Sequence, residues 1–174
     1  LFKEAGLDPN APPQNWDELA TYASKLSKHD SQGRVTQSGY RLNWDGWIGL
    51  LQNVVPFVWQ NGGSFLDEET WKTAAVDQPE FVEAVEFVVE LLNKHKVDNY
   101  TPWGEANSSQ SWLKGQFAMQ INNTNVLRDI YHYLPDNVEE VGVALPPSRK
   151  TRATFVGGTD LGVAAKSKHP ELAV

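Results

Sequence analysis

The sequence predicts an α/β domain, a mixed sheet flanked by helices. Amphipathic helical stretches alternate along the chain with single short strand-like runs. The runs are bounded by Gly, Pro and Asn clusters, which act as turn signals. At 174 residues the chain is long enough to bury one substantial core, as one domain or one lobe of something larger.

The first helix is signalled by "PPQNWDELATYASKLSK". Asn15 is a cap residue with Glu18 three positions on, as in a capping box. Trp16, Leu19, Ala23 and Leu26 then form one stripe. "HDSQG" ends this helix, and "GYRLNW" reads as a short strand. "DGWIGLLQNVVPFVWQNGG" is a mostly apolar, buried helix. Pro56 kinks or divides it, and Gly62-Gly63 end it. "SFLDEETWKTAAV" has the pattern of a hairpin around an acidic turn. "DQPEFVEAVEFVVELLNKHKV" is the clearest helix. Asp77 and Glu80 form its expected capping pair, Pro79 lies in its first turn, and Phe81, Val85, Val88 and Leu92 form its expected stripe. Lys94 to Lys96 suit its C-terminal dipole.

A loop with Pro102 and Trp103 leads to a short helix near "SSQSWLKG". "QFAMQI" is a buried strand. The next helix begins at Asn123 or Thr124 and turns Val126, Leu127, Ile130 and Tyr131 inward. "EEVGVALP" is another strand, and "TFVGGTDLGVAA" reads as two short strands around Gly-Gly.

Composition narrows the function. A net charge of −7 and a single short basic cluster, "SRKTR" at 148–152, argue against nucleic acid and anionic membrane as partners, since both need a basic patch. The chain has no cysteine, which excludes disulfides, thiolate catalysis and cysteine-ligated metals. No apolar run reaches the roughly 20 residues of a membrane helix. No secretory leader is visible. The chain opens on "LFKEAGLDP" without Met and ends on "SKHPELAV", which looks like a helix start, so it reads as a piece of a longer protein.

No motif for phosphate or dinucleotide binding, metalloprotease chemistry or an esterase elbow is found. His29, His95, His132 and His169 are far apart in sequence, and "LDEET" lacks calcium-loop spacing. No metal or cofactor is expected. Glu105 and Asp160 are loop acids that could form a glycosidase pair, but nothing beside them marks a raised pKa.

The remaining signals suit non-covalent recognition of a hydroxyl-rich ligand. In "FAMQINNTN" an apolar run stops on Asn122, Asn123, Thr124 and Asn125. One of these can cap the following helix. Four exceed what a cap requires, and amides offer both donors and an acceptor to sugar hydroxyls. In α/β sheets ligands sit beyond the carboxyl ends of strands, where this cluster falls. The seven tryptophans add ring faces on which sugars stack. Trp44, Trp47, Trp59 and Trp103 lie in or beside loops and helix ends. Trp16, Trp71 and Trp112 are assigned to the core.

Four stretches carry a resemblance in the right order: "LFKEAGLDPNAPPQNWDELATYASKLSK", "NGGSFLDEETWKTAAVDQPEFVEAVEFVVELL", "SWLKGQFAMQI" and "FVGGTDLGVAAKSKHPELA". The chain resembles the family 1 extracellular solute-binding proteins of ABC importers, the maltose-binding-protein type, along its full length. The resemblance implies a type II periplasmic-binding-protein-like fold of two α/β lobes closing on a ligand. Residues 1–174 would form the second lobe, with 154–174 as the segment returning toward the first.

The family's ligand contacts would map onto Trp44 and Trp47, onto Asn122 to Asn125, and onto Gly157, Gly158, Thr159 and Asp160. In maltose-type members the second place carries a Gly and then a stacking Trp. Here those positions are Asn123 and Asn125, which implies a smaller hydroxyl-rich ligand than a long maltodextrin. The resemblance further implies a monomeric, non-enzymatic protein outside the cytoplasm. It would sit in the periplasm or be lipid-anchored at the outer face of the cell membrane, and deliver a mono- or oligosaccharide to permease subunits. The alternatives are a carbohydrate-active enzyme, a carbohydrate-binding module, or a scaffold domain without a ligand.

Overall fold

The computed structural model describes residues 1–42, 46–67, 69–99, 111–112, 114–122, 124–133, 135–157 and 162–172. The principal elements are α1 (Trp16–Leu26), β1 (Lys28–His29), β2 (Val35–Gln37), α2 (Gly46–Asn53), α3 (Val55–Gln60), α4 (Pro79–Asn93) and α5 (Asn125–Tyr133).

Helix α1 starts where its cap signal places it. The Asn15 side chain accepts from the Glu18 amide at 2.9 Å. The return bond goes to Gln14, whose N–H donates to the Glu18 carboxylate at 2.7 Å. Trp16, Leu19, Ala23 and Leu26 are all buried, so the predicted stripe is the core face. The segment expected only to end α1 is an antiparallel hairpin of β1 and β2. Asp30 builds its turn by accepting from the Gln32 and Arg34 amides, both at 2.9 Å. Gly33, at φ +77°, supplies the left-handed residue.

The apolar stretch 46–60 is divided, as expected around Pro56, into α2 and α3, with Val54 between them. Gly62, at φ +79°, then ends α3. The hairpin at 64–76 is held by one antiparallel bridge, Leu66 to Ala74. Trp71 lies outside the core, 67 % exposed and at φ +54°. The Asp67 side chain, bonded to both groups of Thr70, curls the turn and carries Trp71 outward.

Two expectations for α4 need correction. Its cap is Gln78, without a side-chain bond, and Asp77 lies one residue outside. Pro79 at the first helical position starts the helix without a cap donor. Its buried face is Ala84, Phe87, Val88 and Leu91, while Val85 is exposed. The small Ala84, fully buried, lets α4 approach the core closely enough for Phe87 to stack on Trp16 at 4.4 Å. Phe57 meets both rings edge-on or tilted, at 5.5 and 5.6 Å. This triad joins α1, α3 and α4, with Leu19, Val58, Val88 and Leu91 around it.

Between the helices runs a segment, 38–42, whose place is fixed by Gly39. A β-carbon there would lie 1.8 Å from the Ala23 carbonyl oxygen. The Gly39 amide donates to Val97 O at 2.9 Å and to Ser27 Oγ at 3.1 Å. Segments 38–42 and 116–120 pair in parallel through the bridges Ser38–Phe117 and Arg41–Gln120. The two expected strands are thus present only as two isolated parallel bridges, not as continuous strands, among the described residues. Phe117 is buried, and Trp112 packs edge-on against it at 5.0 Å.

In the last third, α5 buries Ile130, but Leu127 and Tyr131 are exposed rather than inward. Residues 141–147 and 153–157 join no ladder among the described residues, in contrast to the strands expected in "EEVGVALP" and at the start of "TFVGGTDLGVAA"; the second strand expected there begins in 158–161, outside the described residues. Val143 and Val156 are 78 % and 89 % exposed. The turn between these stretches is anchored, because the Lys150 and Thr151 amides donate to Gln60 O at 2.9 and 3.0 Å. No helix among the described residues is long and apolar enough to cross a membrane.

Candidate functional site

The parallel pairing decides where the candidate residues meet. Ser38 N donates to Gln116 O at 2.9 Å, Ala118 N to Ser38 O at 2.8 Å, and Arg41 N to Met119 O at 2.8 Å. Parallel partners run the same way. The carboxyl ends at Leu42 and Ile121 therefore emerge side by side. The first leads toward α2 and the second into the polar turn before α5.

Asn122, Thr124 and Asn125 are exposed at that end. The Asn122 amide donates to Gln120 Oε1 at 2.9 Å, which holds its head over the strand end. Thr124 stands immediately before α5, in the expected cap position, and its carbonyl accepts from Leu127 N at 3.1 Å. Asn125 is the first helical residue. Trp47 falls in the first turn of α2. Its side chain, and Trp44, Asn123, Gly158, Thr159 and Asp160, lie outside the described residues. So do Trp103, Glu105 and the proposed Glu105–Asp160 pair.

Gly157 is exposed, and a β-carbon there would lie 2.5 Å from the Phe155 ring, which curls back over it. No described hydrogen bond or ring contact ties Gly157 to the other two places. Trp59 is partly buried on α3. Among the described residues no group of His, Cys, Asp and Glu is placed to hold a metal ion.

Periodicity gave no hint of the polar cluster beneath this end. The Asp98 side chain is fully buried. One carboxylate oxygen accepts from Arg41 Nη1 at 3.0 Å and from the Ser38 hydroxyl, and the other from Leu42 N at 2.9 Å. Burial pushes the Asp98 carboxyl above its ordinary value, against the Arg41 charge and the three donors that pull it down. Burial likewise pushes the Tyr40 phenol up. Arg41 also reaches Asn99 Oδ1 at 3.3 Å, and Asn99 Nδ2 donates to Val35 O at 3.3 Å. Ser38, Arg41 and Asp98 are buried beside the strand exits, Asn99 is exposed at their edge, and the buried Tyr40 hydroxyl has no hydrogen-bond partner among the described residues. The arrangement above them offers amide and hydroxyl side chains at an exposed strand end, which is chemistry for binding.

A family model described as bacterial extracellular solute-binding protein matches residues 1–174. The sn-glycerol-3-phosphate-binding periplasmic protein UgpB of Escherichia coli (strain K12) is 30 % identical over 171 residues, covering 93 % of this chain and 36 % of that protein. An ABC transporter solute-binding protein from Thermotoga lettingae TMO, solved with α-D-tagatose bound, superposes with TM-score 0.82 and 29 % identity, over 99 % of this chain and 43 % of that one. Maltose-bound MalE3 of T. maritima gives TM-score 0.68 and 28 % identity, over 87 % and 38 %. The chain thus spans well under half the length of these relatives. They share the type II periplasmic solute-binding fold, to which the α/β organisation seen here conforms.

Proposed function

This chain belongs to the bacterial extracellular solute-binding protein family, and from that premise we propose that the full-length protein is the substrate-binding component of an ABC importer. It captures a carbohydrate between two lobes and hands it to the permease unchanged. Residues 1–174 are the second of these lobes, and 154–174 return toward the first. The protein works as a monomer outside the cytoplasm, free in the periplasm or anchored at the outer face of the membrane.

One observation carries this reading for the chain itself: the parallel pairing of 38–42 with 116–120. It brings Leu42 and Ile121 out together, which supports, in this proposal, a common site for Trp44, Trp47 and Asn122 to Asn125. Gly157 to Asp160 complete the wall in this proposal. Amide heads and a hydroxyl read sugar hydroxyls by paired donors and acceptors, and Trp47 supplies a stacking face. Relatives solved with tagatose and with maltose bound support a sugar. The short polar side chains of Asn123 and Asn125 favour one of mono- or disaccharide size.

The test is a thermal-shift panel on the full-length protein with D-tagatose, D-glucose, maltose and sn-glycerol-3-phosphate, followed by calorimetry on the hits. A ligand at about 100 times its Kd stabilises the folded state by roughly 2.7 kcal/mol, so one or more sugars should raise Tm by several degrees. The recovered sugar should be chemically unchanged. Turnover of the sugar, or no shift across the panel, would overturn the proposal.

A further inference from the structure

We infer that Asp98 is a positioning residue for the ligand site: its buried carboxylate fixes how the Asn122–Asn125 turn and the first turn of α2 sit relative to each other. The inference rests on the binding reading above.

Asp98 cannot touch a ligand, since its side chain is fully buried. Its three donors all come from 38–42, from the Ser38 hydroxyl, the Arg41 guanidinium and the Leu42 amide. Leu42 is the last described residue before α2. The same segment carries 116–120 on its other edge through Ser38 and Arg41, and that strand runs directly into Asn122. Asp98 is itself rooted in the core. Its neighbour Val97 donates to Leu91 O at 3.0 Å at the end of α4 and accepts from Gly39 N at 2.9 Å. One carboxylate therefore joins the helical core directly to segment 38–42, up to its last described residue Leu42, and through that segment's backbone bonds to 116–120.

A purely stabilising role would not require this placement. A buried ion pair is a weak source of stability, because desolvation offsets the attraction. What a carboxylate with three directed donors supplies is a fixed geometry, and sites of this kind tolerate displacements of only about 0.5 Å.

The test uses the full-length protein and a sugar identified by the panel above. Asp98→Asn is compared with Leu26→Ala, a core variant away from the strand exits, at a temperature where both remain folded. Asp98→Asn should weaken sugar binding at least tenfold, and Leu26→Ala should stay within twofold of wild type. Should Asp98→Asn fail to fold, Ser38→Ala decides, since it removes one donor and keeps the charge pair. It should weaken binding three- to tenfold at near-native Tm. Wild-type affinity in a folded Asp98→Asn or Ser38→Ala, or equal losses in Asp98→Asn and Leu26→Ala, would make Asp98 a stabilising residue only and overturn the inference. A wild-type protein that binds no sugar of the panel fails earlier, at the binding reading itself.

Discussion

The Trp16 indole N–H donates to the Gln60 side-chain oxygen at 2.7 Å, inside the core. The same carboxamide donates to Ala153 O at 2.9 Å. Gln60 is fully buried, and its own carbonyl receives the Lys150 and Thr151 amides. One polar side chain thus joins the aromatic triad to the turn preceding 153–157, and the Arg149 guanidinium lies over the Trp16 ring at 4.7 Å. Gln60→Leu keeps the volume and strands two groups, the buried indole N–H and the half-buried Ala153 carbonyl. Each orphaned group costs about 1–3 kcal/mol. The expected loss is about 2–4 kcal/mol in urea unfolding followed by tryptophan fluorescence. A loss under about 1 kcal/mol would show that water reaches both groups.

Gly39→Ala places a methyl 1.8 Å from a backbone oxygen of α1. Backbone cannot swing aside as a flexible side chain can, so segment 38–42 must leave the C-terminal turn of α1 and give up the Gly39 bonds to Val97 and Ser27. Destabilisation should reach about 3 kcal/mol or more, read as a lowered urea midpoint. Gly142→Ala, with open space around it, is the control and should change little.

Asn125→Ala in the full-length protein should weaken sugar binding by about 1–3 kcal/mol, the cost of leaving a ligand hydroxyl without its partner. Asn125 is exposed, so Tm without sugar should hardly move. Calorimetry and thermal unfolding on the same sample separate the two effects. Unchanged affinity with a lowered Tm would assign Asn125 to the helix start alone.

Two carboxyls bias stability against pH in opposite directions. The Glu80 carboxyl is held below its usual range, first by its own backbone N–H and then by Lys150, 3.3 Å away. A depressed carboxyl stabilises above its unfolded value, and that contribution disappears as pH falls below about 4.3. Asp98 is raised by burial. Its contribution is therefore present below about 3.9 and lost as pH climbs through its folded value. Glu80→Gln should flatten the acid side of a stability–pH curve measured by urea midpoints. A slope identical to wild type below pH 4.3 would remove Glu80 from the account.

Local signals were legible wherever one short window held both partners. Asn15 with Glu18, Pro56 at the break between α2 and α3, and Gly62 after α3 all stand where the sequence places them. The apolar stripe of α4 points one face away from its buried face, because Ala84 is buried for its smallness and contributes little to an apolar count. The β1–β2 hairpin carries its turn in "DSQG", but its strands are two and three residues long, too short for an alternating pattern. The Asp98–Arg41–Ser38 cluster has no local signature, because Asp98 lies 57 and 60 positions from Arg41 and Ser38 and meets them only in the folded chain. For the site, the polar turn after "FAMQI" was visible as a pattern. Its neighbour across the ladder was not, since nothing in one strand's residues states which other strand lies beside it.

The Ser38–Phe117 bridge spans about 80 positions of chain. Closing a loop of that length costs roughly 4 kcal/mol in chain entropy, beyond a fixed initiation term. The Trp16, Phe57 and Phe87 rings that join α1, α3 and α4 lie nearer to one another in sequence, and no part of that cluster waits for residue 117 to arrive. With Phe57 between them, 41 positions from Trp16 and 30 from Phe87, the rings can close in shorter steps, so the expected order is that the helical nucleus condenses first and the 38–42 and 116–120 pairing closes later. In a refolding experiment, burial of Trp16 should precede sugar-binding competence, leaving an interval in which the protein is compact and still cannot bind.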